Sequence, residues 1–139
     1  MSEKILFVDD EVNILDGLRR TLRGKFDVDT AVSGAEALAM IRSNGPYAVV
    51  VADMRMPGMN GIELLSTLHS QGSQSVRIML TGNADRATAV DAVEKGHVFH
   101  FLSKPCSEEA MTRALQASLD LYRLHLKVGQ IEEFLRNVH

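Results

Sequence analysis

The sequence is poor in several features that would mark other kinds of protein. Cys106 is its only cysteine, which excludes an internal disulfide and a cysteine-based zinc site and fits a reducing compartment. Basic residues do not exceed acidic ones, since the formal net charge is −3, so no basic surface indicates nucleic acid. No apolar run is long enough to cross a membrane, and the N-terminal one is too short for a secretion signal. These absences predict a cytoplasmic protein with no direct nucleic-acid or membrane contact.

What is present is the pattern of one α/β domain. The chain has 139 residues, 45% of them hydrophobic, which is enough to bury a core. Apolar strand-like runs occur at residues 4–8, 28–32, 48–53, 77–80 and 98–102, and a helical pattern follows each run. Such alternation with short connections predicts a parallel sheet with helices on both faces. The expected inward positions include Val12 and Leu15 in the first helix, and Ala87, Val90 and Val93 in the fourth, which Gly96 should end.

Polar side chains stand where the predicted strands end. The first strand runs into Asp9 and Asp10, the third into Asp53, the fourth into Thr81 and the fifth into Lys104. In a parallel sheet these ends lie along one edge. Three carboxylates crowded there would raise each other's pKa unless a cation intervened, and oxygen ligands of this kind suit Mg²⁺.

The same set of side chains matches phosphoryl transfer. Asp53 ends the run AVVVAD, whose small and β-branched residues predict a strand buried on both faces. A carboxylate there is the expected nucleophile and would form an aspartyl phosphate. The metal and Lys104 would neutralise the phosphoryl oxygens, and Thr81 would donate a hydrogen bond to one of them.

These residues together resemble the receiver domain of two-component response regulators. The resemblance covers about residues 4–121 and is carried by VDDE, by Asp53 with MPGMNG, by Leu80-Thr81-Gly82 and by Lys104-Pro105. It implies a flavodoxin-like (βα)5 fold with strand order 2-1-3-4-5. It also implies that a histidine kinase or phosphotransfer protein phosphorylates Asp53, and that the face of the fourth helix, fifth strand and fifth helix then changes its affinity for an output domain or partner.

The resemblance implies a metal-ligand set. Asp10 and Asp53 would bind Mg²⁺ directly, the backbone carbonyl of Arg55 would be the third protein ligand, and Asp9 would act through water. A receiver of this kind catalyses only its own phosphorylation and dephosphorylation.

Further roles are implied for the residues around the acids. Thr81 resembles the switch hydroxyl, and Phe101 stands at the switch aromatic, where tyrosine is commonest. Arg55 and Asn83 stand at the positions that tune the lifetime of the phosphoryl group. The Lys104–Pro105 peptide bond would be cis, which only an X-Pro bond adopts cheaply.

Other interpretations of the same residues stay open. Asp9 and Asp10 could cap the first helix, Lys104 could be a solvated surface lysine, and Thr81 could be an ordinary strand residue. The five histidines show no metal-ligand spacing, so a histidine that donates phosphate should lie on another protein. A phosphorylation-independent dimerising scaffold is an alternative function. An aspartyl-phosphate phosphohydrolase is another, but it would need a second acid at the position of Arg55.

The last part of the chain has a helical repeat of its own. Apolar residues follow a 4-3 spacing that forms an a/d heptad seam: Ala117, Leu121, Leu124, Val128, Ile131, Leu135 and Val138. A continuous helix from Ser107 to Asn137 would be about 45 Å long. The seam predicts a homodimer, with a frayed or folded-back end as the alternative.

We therefore divide the chain into a receiver domain at 1–121 and a helical extension, a candidate coiled-coil linker, at 122–139. Such a helix resembles the linker to a C-terminal output domain. Residues 80–105 look most like receivers attached to cyclic-di-GMP phosphodiesterases of the HD-GYP type, so the chain is expected to be part of a longer regulator.

Overall fold

Five parallel strands form one sheet in the order β2-β1-β3-β4-β5, which confirms the predicted topology. The structure is a computed structural model that describes residues 3–95 and 97–138. The strands are β1 (Lys4–Val8), β2 (Asp27–Ala31), β3 (Val49–Asp53), β4 (Val76–Thr81) and β5 (His100–Ser103). Every residue of β3 is buried, as expected for a central strand covered on both faces.

Helices cover both faces of this sheet. They are α1 (Val12–Leu22), α2 (Gly34–Asn44), α3 (Gly61–Ser70), α4 (Arg86–Glu94) and α5 (Glu108–Asn137). One core cluster lies between the sheet and α2, α3 and α4, and a second lies between the sheet and α1 and α5. A 3₁₀ turn, Asn83–Asp85, connects β4 to α4. Within the described part of the chain, no helix is both long and apolar enough to cross a membrane.

Two predicted strands were displaced along the chain. β2 ends at Ala31, and Val32 beyond it is exposed. β5 begins at His100, although the backbone N–H of Phe99 just before it already bonds to the carbonyl of Arg77 in β4 at 2.8 Å. Both strands lie at the edges of the sheet, where one pairing partner is missing and the pattern constrains the ends least.

The predicted inward faces of two helices were partly wrong. Val12, the first residue of α1, is 54% exposed, while Leu15 is buried. In α4 the buried positions are Ala89 and Ala92, and Val90 points to solvent. Ala87 is also exposed, whereas Val93 is half-buried and packs against the core cluster as predicted. The predicted end of this helix, Gly96, lies outside the described residues.

The long C-terminal helix is present as predicted. Ser107 caps it by accepting a hydrogen bond from the backbone N–H of Ala110 at 3.1 Å. Its inner side is buried against the sheet at Met111, Leu115, Ser118 and Tyr122. The helix continues through residue 121 without a break, so the domain boundary placed there stays a prediction.

Candidate functional site

The polar strand ends meet at the C-terminal edge of the sheet. Carboxylate oxygens of Asp9, Asp10 and Asp53 all lie within 4.8 Å of one another. Asp9 and Asp53 are buried, whereas Asp10 is exposed. We call these three residues the acid cluster. The sequence had placed them together from the order of the strands alone.

The loops around the acid cluster are held by backbone contacts. The Met54 N–H bonds to the Leu80 carbonyl at 2.9 Å and extends the β3–β4 pairing past Asp53, and the Gly61 N–H bonds to the Met54 carbonyl at 3.1 Å. A Cβ atom on Gly61 would lie only 2.3 Å from the backbone oxygen of Asp53. Glycine at this position therefore lets α3 begin directly against the backbone of Asp53.

Lys104 forms an ion pair with Asp53 through its ammonium group and Oδ1. The backbone N–H of Lys104 also bonds to the Thr81 carbonyl at 2.9 Å, which fixes where its side chain starts. Partial burial opposes the charge of Lys104, but the hydrogen bond and charge of Asp53, with Asp9 and Glu11 behind it, raise its pKa above the ordinary value. The lysine is therefore charged where it meets the Asp53 carboxylate.

Asp9 has one satisfied and one unsatisfied carboxylate oxygen. Oδ1 accepts a hydrogen bond at 2.9 Å from the backbone N–H of Glu11, the residue before α1, and no side chain caps the first turn of that helix. Oδ2 is buried and has no hydrogen-bond partner. Burial raises the pKa of Asp9, the Glu11 N–H lowers it, and the charge of Asp53 raises it again.

The acid cluster fits a hard divalent cation. Its donors are all oxygens, and the orphaned Oδ2 of Asp9 is a buried lone-pair donor that needs a positive partner. Asp10 and Asp53, with the Arg55 carbonyl, are the residues that would hold Mg²⁺ here, and Asp9 would contact it through water.

The candidate switch residues surround this pocket. The Thr81 hydroxyl donates to the Gly82 carbonyl at 3.1 Å and lies 3.5 Å from the Met54 sulfur. Phe101 is half-buried, and the Arg86 guanidinium lies 5.7 Å from the centre of its ring. The Lys104–Pro105 peptide bond is cis, and so is Gly45–Pro46, which the sequence analysis did not anticipate.

One charged residue of the site escaped the sequence analysis. Asp85, in the 3₁₀ turn, accepts two hydrogen bonds from Arg55, Nε to Oδ2 at 2.7 Å and Nη2 to Oδ1 at 2.5 Å. Asn83, in the same turn, is exposed. In the sequence, Asp85 looks like an ordinary acid at the start of a helix. Only its position four residues after Thr81 could have indicated that it lies in a loop beside the acid cluster.

Comparison with known proteins identifies the family. The family model described as the response regulator receiver domain matches residues 5–116. The chain belongs to the response regulator receiver family. The hydrogenase transcriptional regulatory protein HoxA of Cupriavidus necator is 31% identical to this receiver, and the match covers 98% of the chain but 30% of HoxA.

Solved structures show the same relationship. A crystal structure of adenylate cyclase from Rhodopirellula baltica is 43% identical, with a TM-score of 0.88 and 98% of both chains covered. The signal receiver domain of an HD domain-containing protein from Pseudomonas fluorescens is 28% identical, with a TM-score of 0.83, over 91% of this chain and 93% of that one. Three curated relatives are matched over only 27% to 31% of their length. Receiver domains of this family are thus joined to further domains in such relatives.

Proposed function

We propose that this receiver is a phosphoacceptor switch in which Asp53 takes a phosphoryl group from a phosphohistidine on a histidine kinase or phosphotransfer protein. The observation that carries the proposal is the buried Asp53 carboxylate, paired with Lys104 inside the acid cluster. An oxygen of Asp53 attacks phosphorus, the phosphorus–nitrogen bond breaks, and the imidazole keeps its electron pair. Hydrolysis later returns Asp53 to a carboxylate, so the receiver catalyses its own phosphorylation cycle and is not a turnover enzyme.

Each side chain of the site has a separate part in this transfer. Lys104 neutralises a phosphoryl oxygen, and Thr81 reaches the phosphoryl group once it leaves its present partner, the Gly82 carbonyl. Asp10, Asp53 and the Arg55 carbonyl, with Asp9 through water, would hold Mg²⁺, which when bound would neutralise charge on the phosphoryl oxygens. Movement of Thr81 opens space next to Phe101, and this couples the site to the face formed by α4, β5 and α5.

The output is proposed to lie in another domain or partner. Relatives of this chain are transcriptional regulators, an adenylate cyclase and an HD domain-containing protein, and the last agrees with an HD-GYP type of output. We place the receiver in the cytoplasm, where kinase domains phosphorylate their regulators. The long helix α5 would transmit the signal toward such a domain.

A homodimer through α5 is also proposed. Beyond Leu121 the seam residues are exposed, although they are apolar, so they have no cover within the described chain: Leu124, Val128, Ile131, Leu135 and Val138. In the heptad register Lys127 falls at g and Glu132 at the following e position. These residues would face each other with opposite charge across a parallel dimer.

The test of the phosphoacceptor function is the mass of the intact protein after incubation with acetyl phosphate and Mg²⁺. We expect one phosphoryl adduct, and we expect it to be lost in Asp53→Asn and in EDTA. If Mg²⁺ binds in an independent measurement but no adduct forms, the phosphoacceptor function is refuted. The phosphorylation-independent scaffold is then the better account, because it still explains the exposed seam of α5 as a dimer contact.

A further inference from the structure

The ion pair between Arg55 and Asp85 joins the two loops that border the acid cluster. Arg55 lies two residues after Asp53 in the connection to α3, and Asp85 lies four residues after Thr81 in the 3₁₀ turn. The pair is bidentate, with both nitrogen–oxygen contacts at or below 2.7 Å. The Arg55 side chain is 77% exposed and that of Asp85 is 11% exposed, so a nearly buried carboxylate holds a guanidinium at the surface.

Arg55 and Lys104 are engaged by different carboxylates, Arg55 by Asp85 and Lys104 by Asp53. The hydrogen bond and charge of Asp85 raise the pKa of Arg55, and Arg55 in turn lowers the pKa of Asp85. The charges that act most on Lys104 are those of Asp53, Asp9 and Glu11. Arg55 is therefore neutralised beside the pocket, although its backbone belongs to the loop that carries the nucleophile.

We propose that Asp85 is a positioning and specificity residue for phosphotransfer, which neutralises Arg55 and keeps its guanidinium from capturing small anionic phosphodonors. An unpaired guanidinium binds phosphate oxygens through two parallel hydrogen bonds, and the long, rotatable side chain of arginine lets it reach them. Released from Asp85, Arg55 would add a second phosphate-binding cation beside Lys104. While Asp85 holds Arg55, the cationic side chain offered to a free phosphodonor at Asp53 is that of Lys104. A protein donor that has its own binding surface on the receiver is then favoured over small phosphodonors. This inference rests on the proposed phosphorylation of Asp53.

The test compares Asp85→Asn, Arg55→Gln and the double variant with the unmodified chain. Initial rates of Asp53 phosphorylation are measured over a range of acetyl phosphate concentrations, where Asp53 attacks phosphorus and acetate leaves with the electron pair. We expect Asp85→Asn to lower the half-saturating concentration about tenfold, the effect of one added charge-assisted phosphate contact. The change should shrink as ionic strength rises, because the released cation is exposed.

The other variants separate positioning from a structural role. Arg55→Gln leaves the Asp85 carboxylate unpaired, and this negative charge should raise the half-saturating concentration of acetyl phosphate. In the double variant, which has no Arg55 to release, Asp85→Asn should no longer lower that concentration below the value of the unmodified chain. Asp85→Ser repeats the test if Asp85→Asn folds poorly, and Asp85→Glu should restore the pair. Asp91→Asn is the matched control, because it removes an exposed carboxylate paired with Lys95 on α4, away from the pocket.

A second measurement tests the role of Asp85 even if Asp53 is not phosphorylated. The same proteins are titrated with inorganic phosphate by calorimetry, which needs no transfer to Asp53. Tighter phosphate binding in Asp85→Asn, abolished by Arg55→Gln, supports the inference even if no adduct forms on the unmodified chain. Equal affinity within twofold in folded Asp85→Asn and Asp85→Ser, or a gain that persists in the Arg55→Gln background, overturns it.

Discussion

At the scale of single residues, the acid cluster combines a structural and a functional demand on Asp9. One oxygen of Asp9 accepts a hydrogen bond from the Glu11 N–H just before α1, and the other is buried without a partner. A buried, unpaired carboxylate oxygen costs free energy of folding unless a cation satisfies it. If the proposed Mg²⁺ binds, it would offset this cost, so the stability of the metal-free protein tests the proposal.

Asp9→Asn should stabilise the metal-free protein by about 1 kcal/mol, because it removes the unfavourable charge while keeping an acceptor for the Glu11 N–H. Urea unfolding in EDTA measures this change. Added Mg²⁺ should stabilise the unmodified chain more than the variant, since binding to the folded state alone raises its stability. Asp10→Asn, at an exposed position, should change the metal-free stability by less than about 0.5 kcal/mol. A destabilised Asp9→Asn in EDTA would contradict the argument.

Tyr47 provides a second prediction at the residue scale, through its pH dependence. Its hydroxyl donates to Asp29 Oδ2 at 2.6 Å, and burial, with the nearby Asp29 carboxylate, raises the pKa of Tyr47 to about 12. The unfolded tyrosine ionises near its ordinary pKa of about 10. Stability from this group is therefore complete below that pH and is lost as the pH rises toward 12.

Unfolding free energies measured across this interval should fall less steeply for Tyr47→Phe than for the unmodified chain. At neutral pH the variant should lose about 1 kcal/mol, because a hydrogen bond to a carboxylate is removed. Tyr122, the only other tyrosine, also has a raised pKa and accounts for part of the remaining slope. Parallel curves for the two proteins would show that Tyr47 ionises no later in the folded state.

At the scale of elements, the site depends on how closely α3 approaches the end of β3. Gly61→Ala would place a methyl group against the Asp53 carbonyl, so the start of α3 and the loop with Arg55 must shift. We expect a loss of about 1–3 kcal/mol in stability and slower phosphorylation of Asp53 by acetyl phosphate. Gly17→Ala in α1 is the control, because only the end of the Arg20 side chain lies near its added Cβ, at 4.0 Å. That control should gain up to about 1 kcal/mol. Unchanged stability and rate in Gly61→Ala would show that the approach is not needed.

Elements also show how far the sequence could predict this protein. Buried β3 and the acids and Lys104 at the strand ends followed from apolar runs and from the geometry of parallel sheets. The inward face of α4 did not, because Ala87, Ala89 and Ala92 are all alanines, and the hydrophobic pattern does not distinguish the two that are buried from the one that is exposed. The pairing of Asp85 with Arg55 also escaped, since it joins two loops 30 residues apart whose paths depend on the completed fold.

At the scale of the whole molecule, α5 has two apolar sides, one packed on its own domain and one exposed. Its first half buries Met111, Leu115 and Tyr122 against the sheet, and contacts with the domain continue to Gly129, whose added Cβ would lie 2.8 Å from the Gln74 side chain. The apolar seam lies on another side of the helix and is exposed along the second half. A helix that covered only its own domain would need the first of these surfaces but not the second.

The proposed parallel dimer gives the last prediction. Truncation after Gly129 removes Ile131, Leu135 and Val138 of the seam but keeps Tyr122 and the contacts of α5 with the domain. It should give a monomer by light scattering, whereas the unmodified chain should have twice the monomer mass. Lys127→Glu should weaken the dimer by placing two acids opposite each other at g and e, and Lys127→Glu combined with Glu132→Lys should restore it by reversing both charges. Arg136→Glu, at the outer b position, changes the net charge of the chain equally and should leave the mass unchanged.

An unchanged mass after truncation would refute a dimer through α5. A double variant that does not recover the dimer would refute only the parallel register. If both tests succeed, the C-terminal ends of the two helices emerge side by side, so any domain attached there would be held as a pair.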